Sequence, residues 1–93
     1  MADLVEMVQL SPTMEEGLVV AWMKGEGDRV ATGDILAEVE TDKATMEMES
    51  YFDGTVLRIL APAGTAAKVG AALAIIGEPG EDISRLVAGH AAG

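Results

Sequence analysis

Glu38-Val39-Glu40-Thr41-Asp42-Lys43-Ala44-Thr45-Met46-Glu47-Met48-Glu49 alternates acidic and apolar residues on both sides of a short polar break. Strict alternation is the period of a strand with one wet face and one buried face. Two such runs joined by a few small polar residues predict a β-hairpin with Asp42 and Lys43 near its tip. Asp suits the tip because its short side chain can hydrogen-bond the backbone of its own turn. Lys43 then projects into water from a stiff two-stranded arm, where other proteins can reach it. A lysine in that place often does no more than keep a turn soluble, so the rest of the chain must decide its role.

Working outward, the flanking residues supply a scaffold of short strands. Leu4 to Leu10 reads as a first strand, broken by Ser11-Pro12-Thr13 because proline lacks the ladder donor. Gly17 opens a second strand, Leu18 to Met23, that carries the lone tryptophan, Trp22. Gly25-Glu26-Gly27-Asp28 and Thr32-Gly33-Asp34 are turns around a short extended piece, Arg29-Val30. Ile35 to Glu40 climbs to the hairpin tip and Ala44 to Ser50 descends from it.

The second half repeats the punctuation of the first. Gly17, Gly27 and Gly33 recur as Gly54, Gly64 and Gly70, each 37 residues on. At the same offset Val19 matches Val56, Leu36 matches Leu73 and Val39 matches Ile76. Shared glycines imply shared turns, because glycine recurs where the backbone needs positive φ or close approach. Neither half has the apolar surface to stand alone, so two copies packed face to face would share one core. A two-fold relation would set Lys43 at one extremity and both chain ends at the other. The strand pattern stops at Ile76-Gly77, which gives a domain over residues 1–79 and the start of a flexible linker over 80–93.

Composition narrows the function. Ninety-three residues with 11 glycines and only three aromatics fit one small all-β domain. A net charge of −10 repels phosphate and argues against nucleic acid. With no cysteine there is no thiolate nucleophile or cysteine metal site, and the single histidine, His90, has no partner. Any thiol chemistry must be borrowed from a cofactor. The first residues lack the basic and apolar runs of a signal peptide, and no stretch reaches the length of a membrane span.

Gln9 to Gly17, Trp22, Glu26-Gly27-Asp28, Gly33-Asp34 and Glu40-Thr41-Asp42-Lys43-Ala44 together resemble the lipoyl domain of 2-oxo acid dehydrogenase complexes. The likeness covers about residues 3 to 78 and is nearest to pyruvate dehydrogenase acyltransferase components. It implies a flattened β-barrel of two four-stranded antiparallel sheets with a quasi-two-fold axis. It also implies that lipoic acid is joined covalently to Lys43, with Asp42 and Ala44 as the flanking residues recognised at the turn. The implied domain is a non-catalytic swinging arm. A thiamine diphosphate-dependent 2-oxo acid decarboxylase would acylate it, the acyltransferase core would pass the acyl group to coenzyme A, and dihydrolipoyl dehydrogenase would reoxidise it. A lipoate-attaching enzyme is a fourth partner. Such a domain is expected to be a monomer by itself, cytoplasmic in a bacterium or in the mitochondrial matrix of a eukaryote.

Two relatives of that reading compete with it. A biotinyl carrier domain shares the fold, but it flanks its lysine with methionines, whereas Met46 and Met48 here come three and five residues later. A lipoyl domain fused to a decarboxylase β-subunit has the same local sequence. A plain binding domain with an unmodified lysine is the third alternative.

Overall fold

Glycine-punctuated alternation builds eight short strands and one helix in the computed structural model, which describes residues 2–90. In chain order they are β1 (Asp3–Glu6), β2 (Glu16–Trp22), β3 (Arg29–Val30), β4 (Ile35–Glu40), β5 (Thr45–Glu49), β6 (Gly54–Ile59), β7 (Ala66–Lys68), β8 (Ala72–Gly77) and α1 (Ser84–His90). They form two four-stranded antiparallel sheets, ordered β1-β8-β6-β3 and β5-β4-β2-β7. The sheets lay their apolar faces together over Val19, Leu36, Val39 and Met48 from one side and Val56, Leu73 and Ile76 from the other. This is the expected flattened barrel.

The internal two-fold is written in the register. Val19 pairs with Val39 in one sheet, and Val56 with Ile76 in the other, each partner 37 residues on. Both pairings then shift by one residue, between Val19 and Ala21 and between Val56 and Arg58. Matching bulges leave Leu36 and Leu73 as the extra residues of β4 and β8, and both side chains are fully buried.

Two of the three repeated glycine pairs are turns of matching shape: Gly27 and Gly64 have φ of 94° and 96°, Gly33 and Gly70 of 96° and 93°. The third pair differs. Gly17 lies inside β2 and needs space, and Gly54, the first residue of β6, has φ of 156° and is crowded as well. A Cβ on Gly17 would stand 2.5 Å from Val39 Cγ1 and 2.8 Å from Met14 Cε. One on Gly54 would stand 3.0 Å from the Gly77 carbonyl oxygen.

Strand bounds agree for β3 and β4 and differ at the N-terminus. The first strand ends at Glu6, four residues short of the Leu10 predicted from alternation. Met7 still donates its N–H to the Ala71 carbonyl (2.8 Å), then Val8 and Leu10 pack on the core from a loop. Their apolar spacing reflects burial without a ladder. Beyond β8, Gly80 (φ 82°) turns the chain and Asp82 accepts the N–H and hydroxyl of Ser84 to open α1, where sequence patterning places no element. Residues 91–93 of the expected linker, and Met1 of the domain, lie outside the described residues.

Candidate functional site

The β4–β5 hairpin closes through residues 41–44, and Thr41 organises the turn. Its N–H donates to the Ala44 carbonyl (2.9 Å) and its hydroxyl donates to the same oxygen (2.8 Å). The hydroxyl oxygen also accepts the N–H groups of Lys43 (3.2 Å) and Ala44 (3.1 Å). One side chain thus absorbs the turn's backbone donors, and no non-glycine residue needs positive φ. Lys43 and Ala44 are exposed beside it, with the β4 and β5 ladders directly behind. Lysine on a four-residue turn backed by two paired strands is a charged amine held out from the body of the domain.

Asp42 is used otherwise than its sequence position suggests. Its carboxylate reaches across to the β1–β2 loop, where one oxygen accepts the Ser11 hydroxyl (2.6 Å) and the other accepts the Thr13 hydroxyl. The Ser11 bond, then the Thr13 bond, and more weakly the Lys43 ammonium, hold the Asp42 carboxyl below its ordinary value against a small desolvation cost. The loop is itself braced. The Gln9 side-chain amide donates to the carbonyls of Pro12 (3.2 Å) and Met14 (3.3 Å), Met14 is buried at 3% exposure, and Ser11 at 8%.

The pseudo-two-fold shows where this loop comes from. Matching positions in β1 and β5 are 43 residues apart (Asp3 with Met46, Val5 with Met48), against 37 in the other strands. The β1–β2 connection therefore carries six residues more than its β5–β6 mate. That excess includes the segment whose hydroxyls hold Asp42.

The wet face of the hairpin is acidic. Glu38 and Glu47 are directly opposed across the strands, with Glu40 and Glu49 on the same face. No group of three or more His, Cys, Asp or Glu among the described residues could hold a metal ion, and no described helix is long and apolar enough to cross a membrane.

Asp42 and Lys43 lie at the exposed hairpin tip, and Ala44 lies in the turn with them and not in the descending strand. Thr41, Ser11 and Thr13 are the contributors that local patterning missed. Ser11-Pro12-Thr13 carried a readable strand break but no sign of its partner, which lies 31 residues from Ser11 and 29 from Thr13. The mismatch of offsets, 43 against 37, is the one signal that marks the loop as an addition.

The sequence model of the family described as "Biotin-requiring enzyme" (Biotin_lipoyl) matches residues 3–76. The chain is 50% identical over 86 residues to the dihydrolipoyllysine-residue acetyltransferase component of the pyruvate dehydrogenase complex of Rhizobium meliloti, covering 91% of this chain and 19% of that one. It is 51% identical over 79 residues to the pyruvate dehydrogenase E1 component subunit beta of the same organism, covering 84% and 17%. The chain therefore spans about a fifth of the length of these curated relatives. Among solved structures, it is similar to the lipoyl domain of the 2-oxoglutarate dehydrogenase complex of Azotobacter vinelandii, with a TM-score of 0.64 and 26% identity over 82% of this chain and 96% of that one.

Proposed function

The chain belongs to the biotin–lipoyl domain family, and from that membership we propose that it is a lipoyl carrier domain whose attachment site is Lys43. The observation that carries the proposal is the presentation of Lys43, exposed on a turn tied down by Thr41 on one side and by Asp42 on the other. The site suits a group joined by an amide to Nζ, because an exposed amine needs no enclosing cavity and leaves the group free to travel. When attached, lipoic acid supplies dithiol redox and acyl-transfer chemistry, which this cysteine-free chain lacks.

The protein's own part is to present, tether and be recognised. The turn holds the arm out from the sheets, so that several partner sites can enclose it in sequence. The acidic face around the turn offers those partners a surface with complementary basic charge. The proposed partners are a thiamine diphosphate-dependent 2-oxo acid decarboxylase, an acyltransferase core, dihydrolipoyl dehydrogenase and a lipoate-attaching enzyme. A tether leaving from the C-terminal side keeps the arm at high effective concentration near all of them. The proposed parent chain is an acetyltransferase component of a pyruvate dehydrogenase complex, with a decarboxylase β-subunit, of similar identity, as the alternative.

Intact mass and peptide mapping of the chain from a host supplied with lipoate test the site. One lipoyl amide is expected on Lys43 and none on Lys24 or Lys68, and Lys43→Arg should fold normally and remain unmodified. A biotinyl increment at Lys43 would replace the cofactor and leave the site standing. A lipoyl group on Lys24 or Lys68 would overturn the site itself.

A further inference from the structure

We propose that Leu18 and Val20 form an apolar docking strip for the enzyme that acylates the arm, which meets it with an aliphatic side chain set beside basic ones. The proposal rests on the carrier function above and names the part of the body of the domain that this partner grips.

Exposure in an unusual place is the first support. β2 is an inner strand of its sheet, between β4 and β7, yet its outward residues are aliphatic. Leu18 is 38% exposed and Val20 43%, while Val19 between them is fully buried. Ala66 stands opposite Leu18 on β7 and is exposed, and the half-buried Ala21 stands opposite Glu38 on β4. Adjoining apolar side chains on one sheet face make a patch, unlike the single apolar residues that any surface carries.

The charge around the strip says what would cover it. Glu40 is directly opposite Leu18, Glu38 is opposite Ala21, and Glu47 faces Glu38 from β5. A column of carboxylates therefore borders the strip on its β4 side, and none of the three has an ion pair with another described residue. On the β7 side Lys68 stands opposite Glu16, so the charge there is balanced. An aliphatic strip with unbalanced negative charge along one border is complementary to an aliphatic side chain flanked by lysine or arginine. A second copy of the chain would bring a net charge of −10 against −10, which disfavours self-association on this face.

The two-fold supplies a comparison inside the molecule. The positions 37 residues on are Thr55 and Leu57 in β6, and there Thr55 is buried at 8% exposure and Leu57 half-buried. The barrel thus accepts a polar residue at one of these positions and does not require either side chain to be exposed. Exposed aliphatic residues at 18 and 20 belong to this face alone.

The strip also lies where a partner needs it. Glu40, opposite Leu18, is the last residue of β4 before the turn that carries Lys43. An enzyme seated on the strip has the root of the arm within its footprint. Acylation is the step that commits an acyl group to a carrier, so discrimination between carriers is useful there, and it comes from contacts away from the reacting atoms.

The test uses the lipoylated domain as the substrate of the pyruvate-decarboxylating component, wild type against Leu18→Thr/Val20→Thr. Threonine keeps the strand propensity and removes apolar area, so the melting temperature should stay as in wild type. KM for the domain should rise about tenfold with kcat unchanged, because the lost contact binds ground and transition states alike. That rise should persist at high salt, whereas the effect of Glu40→Gln should fade as salt screens it. Added to the unlipoylated domain without pyruvate, the decarboxylating component should perturb the amide signals of Leu18, Val20 and Glu40 and leave Thr55 and Ile75 unmoved.

An unchanged KM for the double variant would overturn the proposal. Self-association of the wild-type domain that the double variant abolishes would overturn it too, since a second copy would then hold the strip. If wild-type Lys43 proves not to carry lipoate, the carrier function fails separately. The amide signals then decide whether the enzyme docks on the strip: undisturbed Leu18 and Val20 overturn the proposal and perturbed ones support it. Should the double variant not fold, Val20→Ser alone must raise KM in the same direction.

Discussion

Asp42 shows how one residue links the site to acid stability. Hydroxyl donors hold its folded-state carboxyl below its ordinary value. A lowered folded value means that the bonds contribute stability above the unfolded pKa, about 3.9 for Asp. That contribution is lost as the pH falls through the folded value, so the linkage acts on the acid side and not near neutrality. Asp53, held down by the Thr32 N–H and hydroxyl, is a control in the β5–β6 connection. In a carboxyl titration by NMR, Ser11→Ala/Thr13→Val should raise the Asp42 midpoint towards the ordinary range and leave Asp53 where it was. Gly17 gives a prediction about packing at the same scale. An added methyl would meet Val39 Cγ1 at 2.5 Å, and the branched valine, restricted at χ1 and fully buried, has little room to swing aside. Gly17→Ala should cost about 1–3 kcal/mol, visible as a clear fall in the melting temperature. An unchanged melting curve would show that Met14 and Val39 repack without cost.

At the scale of the element, the hairpin was the most legible part of the sequence, and the reason is physical. Alternation reports one dry and one wet face, and β4 has both: Val39 is fully buried, while Glu40 is exposed. Flanking glycine turns then set its ends. The first strand was legible only in part, because Met7 is buried and Val8 and Leu10 half-buried from a loop, and burial imitates a ladder. The clasp on Asp42 was illegible locally, since a hydroxyl carries no periodicity and its partner lies on another element. The hairpin's acidic face yields two predictions. Glu38 and Glu47 are directly opposed like charges, so Glu47→Lys should add about 0.2–1 kcal/mol by making an opposite-charge pair. Reversing Glu40 or Glu49 should change stability by less than about 0.5 kcal/mol. If this face docks the decarboxylase, either reversal slows acylation of the loaded domain, and the effect shrinks as salt screens it. Wild-type rates for both reversals at low salt would leave the face with a solvating role only.

Across the whole molecule, the two-fold that aligns the strands does not align the outer faces, and the difference bears on where the domain ends. Glu38 has Ile75 as its mate, Glu40 has Gly77, and Glu47 has Leu4. One outer face is therefore acidic and wet, while the other sets Leu4 and Ile75 beside the exposed Arg58. Ile75 is 0% exposed yet is not part of the cluster between the sheets, so something covers it from outside. The chain after β8 is placed to do so. Glu81 Oε1 lies 2.8 Å from where a Cβ of Gly77 would stand, with Leu57 Cδ1 at 3.0 Å, and Ile83, Leu86 and Val87 are half-buried. Glu81 thus stands against Gly77 beside Leu57, and cover of this sheet by residues 78–87 is the expectation that truncation tests. Ending the chain at Glu78 should uncover Ile75 and Leu57, with a loss of roughly 2 kcal/mol for one large aliphatic side chain. In a domain of this size that corresponds to a fall in melting temperature of about 10 °C. Lipoylation of Lys43 should survive the truncation, because the lysine turn and its loop contact draw nothing from the covered face. Equal melting temperatures for the truncated and full chains would show that 78–87 contributes no cover and that the tether starts at the end of β8.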